Sequence, residues 1–180
     1  MASRQGLIWY LASSGRRDEA LAELDKILTA DPAYPLAALD ECGVYYHVRD
    51  YESLKAASQK ALSSDTNNWT GHYFLAVSLD GLGRPSEAIP EYKKAVELSQ
   101  DNIDAVAGLA HAYALAGNKA EATTILRQLE ERSKANYVSP YMLATICTAL
   151  GDKNRAFALL EDAYGNDHPT LRISLTQTCD

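Results

Sequence analysis

Apolar residues recur along this chain with a period of 34 residues, from the first residue to about residue 170. Within each period they occupy positions 4, 7, 8 and 11 and then positions 20, 24 and 27. Steps of three or four residues place them on one face of an α-helix, so each period predicts two amphipathic helices packed together. Small residues at positions 8 and 20 allow close approach. Position 20 carries Ala20, Leu54, Ala88, Ala122 and Ala156.

A turn between the two helices is predicted at position 15 of each period. This position carries Gly15, Arg49, Gly83, Gly117 and Gly151. Glycine readily adopts the left-handed conformation that commonly ends a helix. Acidic residues then follow where the dipole of the second helix favours negative charge, as at Asp18, Glu19 and Glu87. In the last period, Ser139 and Pro140 supply an N-cap and a first-turn proline for the first helix.

This register predicts five helical hairpins and a C-terminal tail. Their bounds are residues 1–34, 35–68, 69–102, 103–136 and 137–170, with the tail at 171–180. The second hairpin departs most from the pattern, because Glu41, Arg49, Leu54 and Ser58 replace the apolar residue, glycine, alanine and aromatic residue expected at their positions. We therefore expect that hairpin to be irregular but present.

The end of the chain departs from the helical pattern. Residues 165–169 include a glycine and a proline, and we expect them to break the last helix. Leu171, Ile173 and Leu175 alternate with polar residues, as in an extended segment or the start of an abbreviated cap. We expect this tail to fold over the final hairpin. Ends left uncovered instead would favour association into a homodimer.

The hairpins resemble tetratricopeptide repeats, which are helix-turn-helix units of 34 residues. The resemblance is strongest in residues 69–102, where the matching residues are Leu75, Ala76, Leu79, Gly83, Ala88, Tyr92 and Ala95. It implies an all-α fold, a right-handed α-α superhelix or solenoid of five hairpins with a short tail. It also implies that the chain binds another protein or peptide.

The final hairpin resembles the closing repeat of some multidomain bacterial proteins, in which repeats follow a winged-helix DNA-binding domain or a kinase. The matching segments are Ser139-Pro140-Tyr141, Leu150-Gly151-Asp152, Arg155-Ala156-Phe157 and Leu160 to Tyr164. This resemblance implies an alternative function, a regulatory or sensing module at the C-terminus of a larger bacterial transcription regulator or kinase. The start of the first repeat almost at residue 1 agrees with a fragment of a longer chain.

A binding groove is predicted on the first helices of the hairpins. If positions 4, 7, 8 and 11 face the partner helix, positions 2, 5, 9 and 12 face the other way and line a concave groove in stacked repeats. The residues expected there are Gln5, Trp9, Leu36, Leu39, Tyr46, Tyr73, Val77, Asp80, Asp104, Ala107, His111, Tyr141 and Thr145, with His47 beside them.

The chemistry of this lining favours an apolar ligand. Chaperone-binding members of the family clamp a terminal carboxylate with Lys, Arg and Asn at positions 5 and 9. Those positions here carry Gln5, Trp9, Leu39, Gly43, Tyr73, Val77, Ala107, His111, Tyr141 and Thr145. We therefore expect an apolar helix or extended peptide anchored on Tyr46, Tyr73 and Tyr141, since aromatic anchors dominate buried interfaces. The alternative is that these rings only pack on neighbouring helices.

Charge and hydropathy exclude two partner classes. The net charge of −7 argues against direct binding to nucleic acid, whose phosphates require clustered lysine and arginine. No apolar run approaches the roughly 20 residues of a membrane span, and the N-terminus lacks a secretory signal pattern. We expect a cytoplasmic protein, with a periplasmic location left open because an upstream signal could precede Met1.

Candidate chemistry is sparse, so we expect neither an enzyme nor a cofactor. His47, His72, His111 and His168 lie in separate repeats, without the close pairing of a metal site. Cys42 and Cys147 fall at packing positions, where a small buried hydrophobe is expected, and Cys179 lies near the C-terminus. No phosphate-binding loop, nucleophile elbow or paired-carboxylate pattern is evident, and a catalytic solenoid is therefore disfavoured.

Overall fold

The computed structural model describes residues 2–31, 34 and 36–167, and the side chains of residues 5–31, 34 and 36–162. These residues form ten α-helices and no strand. The helices are α1 (Ala2–Ser13), α2 (Arg17–Ala30), α3 (Ala37–His47), α4 (Tyr51–Ser64), α5 (Trp69–Gly81), α6 (Pro85–Leu98), α7 (Ile103–Leu115), α8 (Lys119–Ser133), α9 (Pro140–Leu150) and α10 (Lys153–Asp167). The predicted fold class, an all-α repeat of helical hairpins, is confirmed.

The helices belong to two compact units, residues 1–101 and 102–180. In the first unit α1, α3 and α5 are the first helices of three hairpins, and each packs on its own second helix, α2, α4 or α6. Neighbouring hairpins in this unit meet through α1 with α3 and α3 with α5. In the second unit α7 packs on α8 and α9, and α9 packs on α10.

The predicted turns occur at position 15, with the left-handed backbone expected there. Gly117, for example, has a φ of 85°, and φ is also positive at the other three glycines in this position. Arg49 adopts the same conformation, with a φ of 57°. The second hairpin therefore keeps the backbone turn of the others although it lacks the glycine, because the flanking helices hold the residue in a conformation that a side chain disfavours.

Residues at positions 8 and 20 are buried in all five hairpins. Position 8 carries Ile8, Cys42, Ala76, Ala110 and Ala144, none more than 2% exposed. The alanines and the leucine at position 20 are at most 4% exposed. The packing predicted from the sequence is confirmed at both positions.

Two predicted packing residues lie at the surface instead. Leu7 of α1 is 40% exposed and Leu160 of α10 is 39% exposed. The equivalent of Leu7 in the last hairpin, Leu143, is buried, and its helix packs on α8 of the preceding hairpin. Among the described residues α1 has no preceding hairpin and α10 has no following one. The prediction of burial was therefore wrong for Leu7 and Leu160 in these two helices.

The starts and end of the helices also differ in detail from the sequence prediction. Asp50 accepts a hydrogen bond from the backbone N–H of Ser53 at 3.1 Å, and Asn68 accepts one from Gly71 at 3.0 Å. Ser139 lies at the predicted N-cap of α9, but its side chain makes no capping hydrogen bond. The break expected after Tyr164 was also wrong, since α10 continues to Asp167. Residues 168–180, including the predicted tail, lie outside the described residues.

No helix in the described part of the chain is long and apolar enough to cross a membrane.

Candidate functional site

Five ring-bearing side chains of the first unit form a continuous series across α1, α3 and α5. The rings of Trp9 and His47 meet edge to face with centroids 5.5 Å apart, and His47 meets Tyr46 at 5.4 Å. Tyr46 lies 5.9 Å from Phe74, which lies 5.6 Å from Tyr73. These separations are within the range in which aromatic rings attract one another. We call these five residues the aromatic row.

The row has an exposed edge and a buried base. The side chain of Trp9 is 38% exposed and that of Tyr46 is 40% exposed, although both contact other rings. Phe74 is buried against Cys42, Leu54 and Ala57. The row is therefore anchored in the core of the first unit, while two of its rings present apolar surface to solvent.

A glycine of α3 allows the indole of Trp9 to lie on the helix backbone. A Cβ atom at Gly43 would lie 2.6 Å from Cη2 of Trp9, closer than carbon atoms pack. Gly43 is itself buried beneath this ring. The close approach of α1 to α3 at the aromatic row therefore requires the missing side chain.

A carboxylate lies beside the row at the end of α5. The hydroxyl group of Tyr92, from α6, hydrogen-bonds Asp80, and the Tyr92 ring lies 6.1 Å from that of Tyr73. Burial raises the pKa of Tyr92 well above its usual value, and the negative charge of Asp80 raises it further. The phenol therefore stays protonated and donates its hydrogen to the carboxylate.

The predicted lining residues of the first unit differ in burial. Val77 is half-buried and packs against the cluster that contains Phe74, and Tyr73 packs on the same cluster. Leu39 is half-buried near the start of α3. Trp9, Tyr46 and His47 are exposed. The three exposed side chains are thus the most accessible part of the predicted groove in this unit.

Gln5 was also predicted to face the groove, but its amide makes a structural contact. Its Nε2 atom donates to Oδ1 of the buried Asp40 at 3.1 Å, and the hydroxyl group of Tyr34 donates to Oδ2 at 2.8 Å. Burial and this hydrogen bond raise the pKa of Tyr34 to about 12. The three side chains link α1, the loop after α2, and α3.

The second unit carries fewer predicted lining residues at its surface. Tyr141 of α9 is 61% exposed and His111 of α7 is half-buried. Ala107 was expected in the groove but is 6% exposed and belongs to the core with Leu143 and Ala144. The expectation was wrong there because α9 packs on α7 and covers a side chain too short to reach past it.

Phe74 and the relation of Tyr92 to Asp80 were not predicted from the sequence. Phe74 occupies position 6 of its repeat, which the periodicity assigns neither to the hairpin contact nor to the groove. Tyr92 was assigned to packing at position 24, and it is indeed buried. The presence of a large aromatic residue beside Tyr73 was a signal that the row extends into the core.

The buried histidine and cysteines have structural surroundings. Nδ1 of His72 lies 2.6 Å from a carboxylate oxygen of Glu91, and Nε2 lies 3.0 Å from the carbonyl oxygen of Thr66. Cys42 is buried beside Ser58, and desolvation raises its pKa to about 11, while burial raises that of Cys147. Among the described residues, no group of three or more His, Cys, Asp or Glu side chains could hold a metal ion. Cys179 and His168 lie outside these residues.

The same helical hairpins relate the chain to known proteins. A family model described as tetratricopeptide repeat matches residues 79–138. This segment runs from the end of α5 through α8 and contains Gly83 and Gly117, the position-15 glycines of the third and fourth hairpins. The matched segment consists of tetratricopeptide repeats. A comparison with curated proteins gives no significant match.

Several solved tetratricopeptide repeat structures have a similar fold. TTC0263 of Thermus thermophilus is 19% identical, with a TM-score of 0.74, and the match covers 96% of this chain and 95% of that one. YrrB, a TPR protein with an unusual peptide-binding site, is 24% identical, with a TM-score of 0.57 and coverages of 96% and 89%. PilW, a type IV pilus biogenesis factor, is 18% identical, with a TM-score of 0.60 and a coverage of 94% for both chains. At these identities the similarity is one of fold.

Proposed function

We propose that this tetratricopeptide repeat protein is an interaction scaffold that binds an apolar peptide or helix along the aromatic row of its first unit. The observation that carries the proposal is the exposure of Trp9 and Tyr46, at 38% and 40%, although both rings belong to a series anchored in the core. Rigid aromatic side chains lose little conformational entropy on binding and often supply most of the binding energy of an interface.

The family and the fold support a binding function over a catalytic one. Tetratricopeptide repeat proteins are generally scaffolds without catalytic activity. YrrB, which shares the fold, has a peptide-binding site. The exposed side chains of the row offer apolar surface and hydrogen-bonding groups, which suit recognition of a peptide better than covalent chemistry.

Packing explains why the ligand would contact some of the predicted residues more than others. Tyr73 and Val77 already pack against the core of the first unit, so a ligand would cover only their remaining surface. Trp9, Tyr46 and His47 present exposed rings on adjacent helices. In the second unit Tyr141, 61% exposed, would provide a separate aromatic contact.

The experiment is an affinity capture from source-cell lysate with three forms of the chain. One is the native protein, and the second carries Trp9→Ala and Tyr46→Ala. The matched control carries Leu7→Ala and Tyr10→Ala, because those side chains are 40% and 61% exposed and lie on another face of α1. Circular dichroism establishes that all three forms are equally helical.

A protein retained by the native chain and by the control, but lost by the Trp9→Ala, Tyr46→Ala form, would support binding at the aromatic row. Equal retention by all three forms would contradict the proposal. Loss with the control alone would place the interface on the other face of α1.

A further inference from the structure

We propose that the segment bound at the aromatic row carries a lysine or arginine whose charged group binds beside Asp80, within an otherwise apolar sequence. This inference rests on the proposed function and specifies the chemistry of the partner. Among the lining residues of the first unit, Asp80 is the one acidic side chain at the row, next to the phenol of Tyr92 and at the end of α5.

The surroundings of Asp80 are phenols and rings. Tyr92 hydrogen-bonds its carboxylate, and the side chains of Tyr46 and Tyr73 are close enough to Tyr92 to influence its ionisation. Burial keeps the Tyr92 phenol neutral, so it solvates the carboxylate without cancelling the negative charge. The charged group of a lysine or arginine is attracted both to a carboxylate and to the face of an aromatic ring. Asp80 and the neighbouring tyrosines offer both kinds of group.

The helix ends strengthen the negative potential at this place. Asp80 lies in the last turn of α5, and Tyr46 and His47 lie in the last turn of α3. The carbonyl groups at a helix C-terminus carry partial negative charge, so an acidic residue there is disfavoured by its own helix. Placing Asp80 at that position lowers helix stability, and a local rule of this kind is most often broken at functional sites.

The charge of the chain agrees with a basic partner segment. The net charge of −7 over the whole chain favours association with a segment that carries positive charge.

Other ligand chemistries fit this surface less well. A purely apolar segment laid over the row would leave the negative charge of Asp80 without an opposite charge, and an acidic segment would add repulsion. A lysine or arginine among apolar residues places its apolar stem along the rings and its charge at the carboxylate.

The test is a selection of random linear peptides displayed on phage against four forms of the full chain. These are the native protein, Asp80→Asn, Asp25→Asn and the Trp9→Ala, Tyr46→Ala form. Asp25 is exposed on α2, so Asp25→Asn removes the same charge away from the row. One selected peptide is then synthesised with lysine and with the uncharged norleucine at the basic position, and both affinities are measured by fluorescence anisotropy.

The native and Asp25→Asn proteins should select peptides with lysine or arginine among apolar residues. We expect them to bind the lysine peptide about tenfold more tightly than the norleucine peptide, the effect of one well-placed charge pair. Asp80→Asn should bind both peptides with similar affinity. An unchanged lysine preference in Asp80→Asn would overturn this inference alone, provided that Trp9→Ala, Tyr46→Ala still abolishes binding. If the selected peptides bind the Trp9→Ala, Tyr46→Ala form as tightly as the native protein, both the proposed function and this inference are overturned.

Discussion

The third and fourth hairpins, which lie in different units, use one repeat register for different surfaces. At positions 5 and 6 of the first helix, α5 carries Tyr73 and Phe74, whereas α7 carries Ala107 and Gly108. At position 12, α5 carries Asp80 and α7 carries the buried Ala114. Both hairpins nevertheless bury alanine at positions 8 and 20. The hairpin contact therefore requires only a few small residues, and the remaining positions are free to determine surface chemistry.

The difference extends to the cores. The first unit buries Phe74 and Tyr92 near the aromatic row. In the second unit, α7 buries five alanines, and the rest of the core is aliphatic apart from Cys147. Alanine has the highest helix propensity and allows helices to approach closely, but it contributes little apolar area by itself. The second unit should therefore depend strongly on its few large aliphatic residues and should tolerate added volume poorly.

The largest effect should come from removing one of those aliphatic side chains. Leu129 of α8 is fully buried with Leu126 and Ile146. We expect Leu129→Ala to lower the free energy of unfolding by about 2–5 kcal/mol, because a cavity remains among short side chains. Urea denaturation measures the loss. Leu115→Ala, at a position 47% exposed on α7, is the control, and an equal loss there would contradict the account.

Adding volume to the alanine core should have a smaller but clear effect. Ala110 of α7 is fully buried in the cluster that contains Ala144 and Cys147. We expect Ala110→Leu to destabilise the protein by about 1–3 kcal/mol, because neighbouring helices must shift to admit the larger side chain. Ala120→Leu, at an exposed position of α8, should change stability little. Thermal unfolding of both variants decides whether the contact at position 8 demands a small residue.

The position-15 turns at Gly117 and at Arg49 should respond to substitution with opposite signs. Gly117 has a φ of 85° and Arg49 has a φ of 57°, a conformation that costs a side chain about 1–2 kcal/mol. We expect Gly117→Ala to destabilise the protein by roughly that amount and Arg49→Gly to stabilise it by up to that amount. Chemical denaturation measures the change in the free energy of unfolding for both variants. Destabilisation by Arg49→Gly would show that the arginine side chain contributes more than its backbone strain costs.

Alkaline pH should weaken the first unit, and Cys42 and Tyr34 should account for part of that dependence. Burial raises the pKa of Cys42 to about 11 and that of Tyr34 to about 12, above their ordinary values of 9 and 10. Since the unfolded chain loses these protons first, stability is full below pH 9 and falls as pH rises toward 11 and 12. For Cys42 the loss between pH 9 and 10 is at most about 1.4 kcal/mol.

Hydrogen exchange at increasing pH, corrected for its intrinsic pH dependence, locates this weakening in the chain. We expect α3 and α4, which surround Cys42, to lose protection. Cys42→Ala should lose part of the pH dependence and retain the part due to Tyr34 and Tyr92. An identical pH dependence in Cys42→Ala would contradict the assignment to the thiol.

The sequence predicted the fold well because the determinants of a repeat are local and periodic. Positions 8, 15 and 20 impose the same constraint in every hairpin, so their register identified all the helices. Even Arg49 did not displace the turn, because the packing of α3 on α4 outweighs the strain at one residue. Leu7 and Leu160 were misassigned because the periodicity gives no information on whether a neighbouring hairpin covers a given face.

The candidate site was predictable only in part. Trp9, Tyr46 and Tyr73 were predicted to line the groove because they occupy positions assigned to the face opposite the second helix, and they lie in the aromatic row. Ala107 and Gln5 were placed in the groove by the same rule, but their burial and bonding depend on the neighbouring α9 and Asp40. The row itself depends on Phe74 and Gly43, whose importance arises from contacts between hairpins and has no periodic signal.

The most direct test of the central claim, that the aromatic row is a partner-binding surface, is photo-crosslinking in source cells. A photoreactive phenylalanine analogue replaces Tyr46 in one form and Tyr10 in another, since both side chains are exposed but lie on different helices and faces. The account predicts a discrete crosslinked protein from position 46 and none of that identity from position 10. The same crosslinked protein at equal yield from both positions, or from position 10 alone, would contradict it.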